Sequence, residues 1–165
     1  MNVKVSNVNQ PQWKEVNVRA KLPANLDKLQ ELAYNLWWVW NSEGKNLFRQ
    51  IDNEAWHRAQ SNPVMLLNTI SYERMQELSN DQAFMEQLDK VYADFRRYMD
   101  APRDKKKPSI AYFSMEYGLC NALKIYSGGL GVLAGDYIKE ASDSRVPMTA
   151  VGFMYRYGYF TQTLS

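Results

Sequence analysis

Glycines dominate one stretch of the sequence, residues 126–136, which reads Tyr-Ser-Gly-Gly-Leu-Gly-Val-Leu-Ala-Gly-Asp. A glycine has no Cβ, so the backbone can approach a ligand closely at such a position. The apolar spacing of residues 132–144 predicts a helix directly after the glycines. The N-terminus of a helix offers free N–H groups and the positive end of a dipole. The glycine-rich loop is therefore expected to bind phosphate or a polar sugar.

Spacing alone leaves two other interpretations of this loop open. Gly129, Gly131 and Ala134 fit the fingerprint of dinucleotide-binding proteins. That fingerprint follows its strand immediately, however, whereas about ten residues separate Glu116 from Ser127 here. Residues 148–160 also lack the acid that would bind a ribose. Alternatively, the glycines only allow a helix to pack tightly against a strand.

Glu116 is the acidic residue in the best position for chemistry. It ends a predicted strand, residues 110–116, and open α/β sheets bind ligands at the carboxyl ends of their strands. Asp136 and Glu140 lie one helical turn apart, which indicates a solvated face. His57 has no nucleophile or paired carboxylate near it, and Cys120 is expected to be an inert buried thiol.

The elements that position these residues fall into two regions. Residues 1–99 are predicted to be mainly helical, and residues 110–165 to begin an α/β unit. Residues 100–109 between them are polar and contain two prolines, so an exposed linker is expected there. Its three consecutive lysines, residues 105–107, are interpreted as solvated rather than as a phosphate site.

The helical region shows apolar spacings of three and four residues. Residues 13–20 are a possible edge strand. Helices are then expected from Pro23 to Trp40, after a cap at Asn53, from a cap at Ser71 to Leu78, and from Asn80 or Asp81 to Met99.

Three tryptophans lie close together on the first of these helices. Helical spacing predicts Trp37 and Trp40 in the core and leaves Trp38 partly exposed. The alternative is a platform on which the apolar face of a sugar stacks.

In the second region the order strand, glycine loop, helix, strand predicts a βαβ unit with parallel strands at residues 110–116 and 148–155. Parallel sheets need several strands and helices on both faces, so the α/β unit is expected to be truncated at Ser165. Unpaired strand edges favour association with another copy of the chain, a possible homo-oligomer.

Composition excludes several classes of protein. The 165 residues include 20 Lys and Arg against 18 Asp and Glu, so a net charge of +2 gives no case for nucleic acid as a partner. One cysteine and one histidine exclude a disulfide framework and make a metal site improbable. A hydrophobic fraction of 45% excludes wholesale disorder. Without a membrane-spanning run or a signal-like start, a cytoplasmic protein is expected.

Several segments together resemble the α-glucan phosphorylase family, in its bacterial and archaeal branch. They are residues 110–119, Ile-Ala-Tyr-Phe-Ser-Met-Glu-Tyr-Gly-Leu; residues 125–142, which contain the glycine-rich stretch; residues 147–160; residues 22–41; and residues 62–64, Asn-Pro-Val. The resemblance covers most of the chain, from about Leu22 to Phe160.

The resemblance implies the N-terminal part of a glycogen or maltodextrin phosphorylase. Such enzymes have two Rossmann-like lobes of the GT-B type and use orthophosphate to release glucose 1-phosphate from the end of an α-1,4-glucan. Their cofactor, pyridoxal 5′-phosphate, is held by a lysine that would lie beyond Ser165. No catalytic residue is assigned within the present chain, which alone is expected to be inactive.

Six binding residues are carried over from the family. The backbone of Gly128, Gly129, Leu130 and Gly131 would face the glucosyl unit and the phosphates, while Glu116 and Arg156 would line the cleft. Tyr117, Gly118 and Tyr155 lie beside them. Cys120 stands where histidine is frequent and Lys124 where proline is common, so contacts at those two positions differ from the family pattern.

Two other functions remain as alternatives. A glucan synthase that uses a nucleotide sugar shares the fold type and also places a Gly-Gly-Leu loop at the start of a helix. A non-catalytic glucan-binding module is the other alternative, and its support is the tryptophan-rich segment, with Trp38 as the stacking residue.

Overall fold

The fold is taken from a computed structural model, which describes residues 22–102, 108–155, 157–158 and 160. In this part the chain is mostly helical, with one small parallel sheet. The elements are α1 (Asp27–Tyr34), α2 (Ser42–Ile51), α3 (Asn53–Arg58), α4 (Pro63–Thr69), α5 (Tyr72–Asn80), α6 (Gln82–Asp100), β1 (Ile110–Phe113), α7 (Gly128–Asp143) and β2 (Met148–Val151). Two short 3₁₀ turns, Ala24–Leu26 and Leu36–Val39, flank α1.

Short polar side chains begin most of the helices in the first region. Asp52 accepts a hydrogen bond from the N–H of Ala55 at 2.8 Å, so α3 is capped by Asp52 and the predicted cap at Asn53 is wrong by one residue. The predicted caps at Ser71 and Asp81 are confirmed. Asn41 and Asn62 cap α2 and α4, which the sequence analysis did not identify as separate helices.

The predicted helix between Pro23 and Trp40 is interrupted at Asn35. Its backbone is extended there (ψ 133°), and its side-chain oxygen accepts a hydrogen bond from the N–H of Trp37 at 2.9 Å. An asparagine that bonds to the backbone two residues ahead offers the chain an alternative to the helix, which explains the break. The chain then continues as a 3₁₀ turn.

This break changes which tryptophans are buried. Trp37 and Trp38 are both only 4% exposed, whereas Trp40 is half-buried. The prediction of a core Trp37 is therefore confirmed, and those of a core Trp40 and a partly exposed Trp38 are wrong. A 3₁₀ turn has three residues per turn rather than 3.6, so the side chains no longer follow the α-helical face. Trp38 packs edge-on against Trp56, with ring centroids 5.9 Å apart, and Trp37 lies 5.5 Å from Phe95.

One hydrophobic core joins the helices of the first region. Its fully buried members come from five helices and the first 3₁₀ turn, and the largest are Trp56, Phe48, Phe95, Leu26, Leu29, Leu32, Leu47, Ile51, Leu66, Leu88 and Val91. The rings of Phe48 and Trp56 stack with an interplanar angle of 4°. The helical region is thus a packed bundle.

The second region is the predicted βαβ unit. β1 and β2 pair in parallel, with Ile110 opposite Met148 and Phe113 opposite Val151, and α7 connects them in the chain. Both strands are shorter than expected, and α7 begins at Gly128 rather than after the glycines. The glycines therefore form the first turn of the helix and not a loop before it. The predicted edge strand at residues 13–20 and the lysines 105–107 lie outside the described residues.

A polar cluster connects the bundle to the C-terminal end of α7. The Tyr98 hydroxyl donates to the Asp143 carboxylate at 2.6 Å and lies 2.7 Å from the Ser142 hydroxyl. Trp40 Nε1 donates to the same Asp143 oxygen at 3.1 Å. The Arg145 guanidinium stacks 4.3 Å from the Tyr98 ring and donates to the Tyr98 carbonyl. Burial, followed by the hydrogen bond to Asp143, raises the pKa of Tyr98.

Replacing Trp38 with alanine is expected to lower the free energy of unfolding by about 3–5 kcal/mol, because a large buried ring leaves a cavity. Urea denaturation of the 165-residue chain, followed by circular dichroism, measures this loss. The Trp38 Nε1 has no hydrogen-bond partner in the described part of the chain, so Trp38→Phe is a control for volume alone and is expected to cost less. A loss below about 1 kcal/mol for alanine would contradict the buried position.

The contribution of Tyr98 to stability is expected to disappear at alkaline pH. Its pKa is raised in the folded state, so the contribution is complete below the ordinary tyrosine pKa of about 10 and is lost as the pH rises through the raised value. The measurement is the difference in unfolding free energy between the wild type and Tyr98→Phe from pH 8 to the alkaline limit. A difference that stays constant above pH 10 would be the contrary result.

Candidate functional site

The Glu116 side chain and the first turn of α7 lie together in the structure. A Glu116 carboxylate oxygen accepts a hydrogen bond from the N–H of Ser127, the N-cap of α7, at 3.1 Å. Glu116 is half-buried and lies three residues past the end of β1, so the prediction that it ends the strand is wrong. The ladder continues for only one further bond, from the Ser114 N–H to the Val151 carbonyl at 3.1 Å.

The turn that carries Glu116 is held to both strands by the next residue. Tyr117 is 6% exposed, and its hydroxyl donates to the Tyr112 carbonyl at 2.7 Å and lies 3.2 Å from the Val151 carbonyl. Burial raises the pKa of Tyr117. The Ser114 hydroxyl also donates to the Glu116 carbonyl at 2.8 Å. These bonds fix the backbone on both sides of the Glu116 carboxylate.

Two of the α7 glycines serve close packing. The N–H of Gly118 donates to the Gly131 carbonyl at 2.6 Å, so the turn lies directly on the helix backbone. A Cβ at Gly135 would lie 2.2 Å from the Gly118 carbonyl oxygen. A Cβ at Gly131 would lie 2.4 Å from the Tyr126 Cβ and 3.1 Å from the Glu116 carboxylate. Any side chain at either position would push the acidic turn away from α7.

Gly128 and Gly129 have a different environment. A Cβ at either position would meet no atom within 4 Å, so the space in front of them is open. Gly128 has a φ of +72°, a conformation that favours glycine. The Ser127 side chain makes no capping bond, and the first N–H groups of a helix have no partner within it. Backbone donors without a partner in the helix therefore lie next to an open space and near a carboxylate acceptor.

This arrangement suits hydroxyl groups and phosphates differently. A sugar hydroxyl can donate to the Glu116 carboxylate and accept from a helix N–H, because a hydroxyl does both. A phosphate is favoured by the N–H groups and the helix dipole but opposed by the negative charge of Glu116. A polar sugar next to Glu116, with a phosphate next to Gly128 and Gly129, would satisfy both the carboxylate and the helix N-terminus.

An apolar pocket of about 580 Å³ lies beside the same turn. It is lined by thirteen residues, which include Tyr117, Leu119, Lys124, Ile138, Phe153 and Tyr155. Tyr155 is thus placed at this pocket, next to the element that carries Glu116. Lys124, one of the two departures from the family pattern, lines it as well.

Arg156 lies outside the described residues. No hydrogen bond joins the other sequence candidates to Glu116 in the part of the chain that the structure describes. His57 is exposed on α3, and Cys120 is half-buried. Asp136 is exposed and pairs with Lys139 at 3.4 Å, while Glu140 accepts a hydrogen bond from Ser144 at 2.7 Å.

Three contributors were not predicted as part of the site: Tyr126, Ser127 as the partner of Glu116, and Gly135. The spacing of Gly131 and Gly135, one helical turn apart, is the sequence signal that could have indicated close backbone packing. Among the described residues no group of three His, Cys, Asp or Glu could hold a metal ion. No helix in the described ranges is long and apolar enough to span a bilayer.

Comparison of the sequence with known proteins places this chain in a family. A family model described as "Protein of unknown function (DUF3417)" matches residues 22–123, which include the bundle, β1 and Glu116. The chain belongs to this family. The glycines of α7 lie outside the matched range.

Longer relatives extend the similarity through the glycines. The chain is 44% identical over 154 residues to a maltodextrin phosphorylase of Thermococcus litoralis. The aligned region covers 89% of this chain and 18% of the relative. It is 41% identical over 160 residues to a glycogen phosphorylase of Mycobacterium tuberculosis, covering 90% of this chain and 18% of the relative. A glycogen phosphorylase of Aquifex aeolicus is 43% identical over 139 residues, 82% of this chain and 20% of the relative.

These relatives confirm the resemblance to α-glucan phosphorylases. The chain spans about a fifth of the length of the relatives that it matches. No solved structure gives a significant match.

The two kinds of glycine are expected to respond oppositely to alanine. Gly135→Ala is expected to lower the free energy of unfolding by about 1–3 kcal/mol, because its Cβ would collide with the Gly118 carbonyl. Gly129→Ala is the matched control, since its Cβ enters open space and alanine stabilises a helix by up to about 1 kcal/mol. Urea denaturation of both variants measures the difference. Equal effects would contradict the division of the glycines.

Proposed function

We propose that this chain is the N-terminal part of an α-glucan phosphorylase, which uses orthophosphate to release glucose 1-phosphate from α-1,4-glucans. The observation that carries the proposal is that relatives named maltodextrin phosphorylase and glycogen phosphorylase match 82–90% of the chain. The site geometry supports it, because a carboxylate and backbone donors meet at an open space that accepts a sugar and a phosphate.

In this proposal the first turn of α7 stabilises the reacting groups. The N–H groups of Gly128, Gly129, Leu130 and Gly131 are donors aimed at the glucosyl unit and the phosphates, and they require no reorganisation during the reaction. Glu116 accepts hydrogen bonds from sugar hydroxyls, and its carboxylate is oriented by the Ser127 N–H. Arg156, which lies outside the described residues, would supply positive charge to the bound phosphate.

The proposal extends to the rest of the protein. The βαβ unit would be the beginning of the first of two GT-B lobes, whose further strands would cover the exposed Phe113, Phe153 and Met154. Pyridoxal 5′-phosphate would be held by a lysine beyond Ser165 and supplies a phosphate group to the reaction when bound. Of the residues that the structure describes, the N-terminus of α7 fits a neighbouring phosphate, since no side chain caps it and the space beside Gly128 and Gly129 is open.

The remaining parts of the proposal concern location and partners. The protein would act in the cytoplasm on α-1,4-glucan and orthophosphate, with neither nucleic acid nor membrane as a partner. Association into a homo-oligomer is also proposed. The division into residues 1–99, 100–109 and 110–165 remains a prediction.

Phosphorolysis is the experiment that tests this function. The complete protein, given maltodextrin and orthophosphate, is expected to produce glucose 1-phosphate only when both are present and pyridoxal phosphate is bound. The 165-residue chain alone is expected to give no product, because groups from both lobes must converge. Consumption of a nucleotide sugar without phosphorolysis would establish a glucan synthase instead. Glucan binding without either reaction would establish a binding module.

Two variants of the complete protein separate structural from binding roles in that assay. Glu116→Gln keeps an acceptor for the Ser127 N–H, so the fold is expected to persist while kcat/KM falls at least about tenfold, since a charged acceptor is lost. Gly129→Ala is expected to lower kcat/KM without lowering the unfolding midpoint, because its Cβ occupies the open space. Unchanged activity in both would show that these residues have only structural roles.

A further inference from the structure

A groove of about 530 Å³ lies between α1 and α6, on the bundle and outside the candidate site. This volume is within the range of about 300–1,000 Å³ that is usual for sites that bind small molecules. The residues that line it include Asp27, Gln30, Glu31, Tyr34 and Arg96.

One face of α1 presents polar and aromatic groups to the groove. Asp27, Gln30, Glu31 and Tyr34 have the spacing of three and four residues that places side chains on one side of a helix. Tyr34 is 67% exposed although its ring is large. The side chains of Asp27, Gln30 and Tyr34 make no hydrogen bond or ion pair with the residues that the structure describes. Their donors and acceptors are therefore available, along about 10 Å of helix.

The wall of the groove is fixed by a hydrogen-bonded network. One Glu31 oxygen accepts from the Tyr92 hydroxyl at 2.5 Å, and the other pairs with Arg96 at 2.9 Å. Arg96 also pairs with Asp100 at 2.7 Å. The hydrogen bond to Glu31 raises the pKa of Tyr92. These bonds hold the planar groups in place before any ligand binds, which lowers the entropy cost of binding.

The charges in the groove favour a neutral ligand. Arg96 is already paired with the carboxylates of Glu31 and Asp100, so it offers little to an anion. These two acids and Asp27 outnumber Arg96, but all three are exposed to solvent, so their attraction for a basic partner is weak. A ring face, an amide and carboxylates are what recognise a ligand with vicinal hydroxyls and an apolar ring face. A sugar has both features.

We propose that the α1–α6 groove binds an α-1,4-linked oligosaccharide, with the Tyr34 ring stacked on a sugar face and Asp27 and Gln30 bonded to its hydroxyls. The choice of an α-1,4-glucan rests on the proposed function, whereas the sugar chemistry rests on the groove. The groove would hold a second part of a long glucan while its end reacts at α7. It replaces the tryptophan platform, because Trp38 is buried and cannot stack on a ligand.

Electrophoresis of the complete protein in gels with and without glycogen tests this site. Tyr34→Ala is expected to weaken the retardation by glycogen about threefold to tenfold, in line with the loss of one aromatic stacking contact. Tyr34→Phe keeps the ring and is expected to retain most of the retardation. Tyr72→Ala is the matched control, since Tyr72 is also an exposed helix tyrosine (54%) but lies outside the groove.

A second measurement separates the groove from the candidate active site. The KM for a short maltooligosaccharide is expected to be unchanged in Tyr34→Ala, because a short substrate does not reach both sites. The proposal would be overturned if Tyr34→Ala left the retardation intact or if Tyr72→Ala reduced it equally. It would also be overturned if glycogen did not retard the wild type. If the complete protein showed no phosphorolysis but its retardation by glycogen depended on Tyr34, the proposed function would be rejected and the proposed glucan site in the groove would stand.

Discussion

The candidate site depends on the close approach of one turn of chain to the backbone of one helix. The Gly118 N–H reaches the Gly131 carbonyl at 2.6 Å, and Gly135 leaves room for the Gly118 carbonyl where a Cβ would be 2.2 Å away. Without this approach the Glu116 carboxylate would not reach the Ser127 N–H. Tyr117 anchors the same turn to both strands. Gly131 and Gly135 thus allow the turn that carries Glu116 to lie against α7, whereas Gly128 and Gly129 leave open space at the start of that helix.

The position of α7 is also constrained at its other end. Tyr98 and Trp40 from the bundle both bond to Asp143, and Arg145 covers the Tyr98 ring. Arg145 adopts a φ of 56°, which a non-glycine residue rarely does and which the surrounding contacts must maintain. The helix that presents the glycines is therefore fixed to the sheet and turn along its N-terminal half and to the bundle at its C-terminus. This arrangement gives the helical region a positioning role that its sequence alone does not indicate.

Within the bundle, local and tertiary effects can be separated residue by residue. Ser71 and Asp81 begin helices as predicted, because a short polar side chain bonds to N–H groups only two or three residues ahead. Asn35 uses the same local chemistry to end a helix where the apolar spacing favoured continuation. The prediction followed the spacing and therefore placed Trp38 at the surface. The helices α2 and α4 were missed for a related reason, since each is short and its apolar pattern is incomplete.

The sequence by itself determined the βαβ order and the family, and it singled out Glu116 and the glycine-rich stretch as the candidate site, because motif, periodicity and composition are local properties of the chain. The tertiary structure decided the rest. It showed that Gly131 and Gly135 pack against Gly118 while Gly128 and Gly129 face open space, a distinction that depends on neighbours distant in sequence. It also moved the exposed aromatic group from Trp38 to Tyr34, because burial is set by which elements pack together and not by the spacing within one of them.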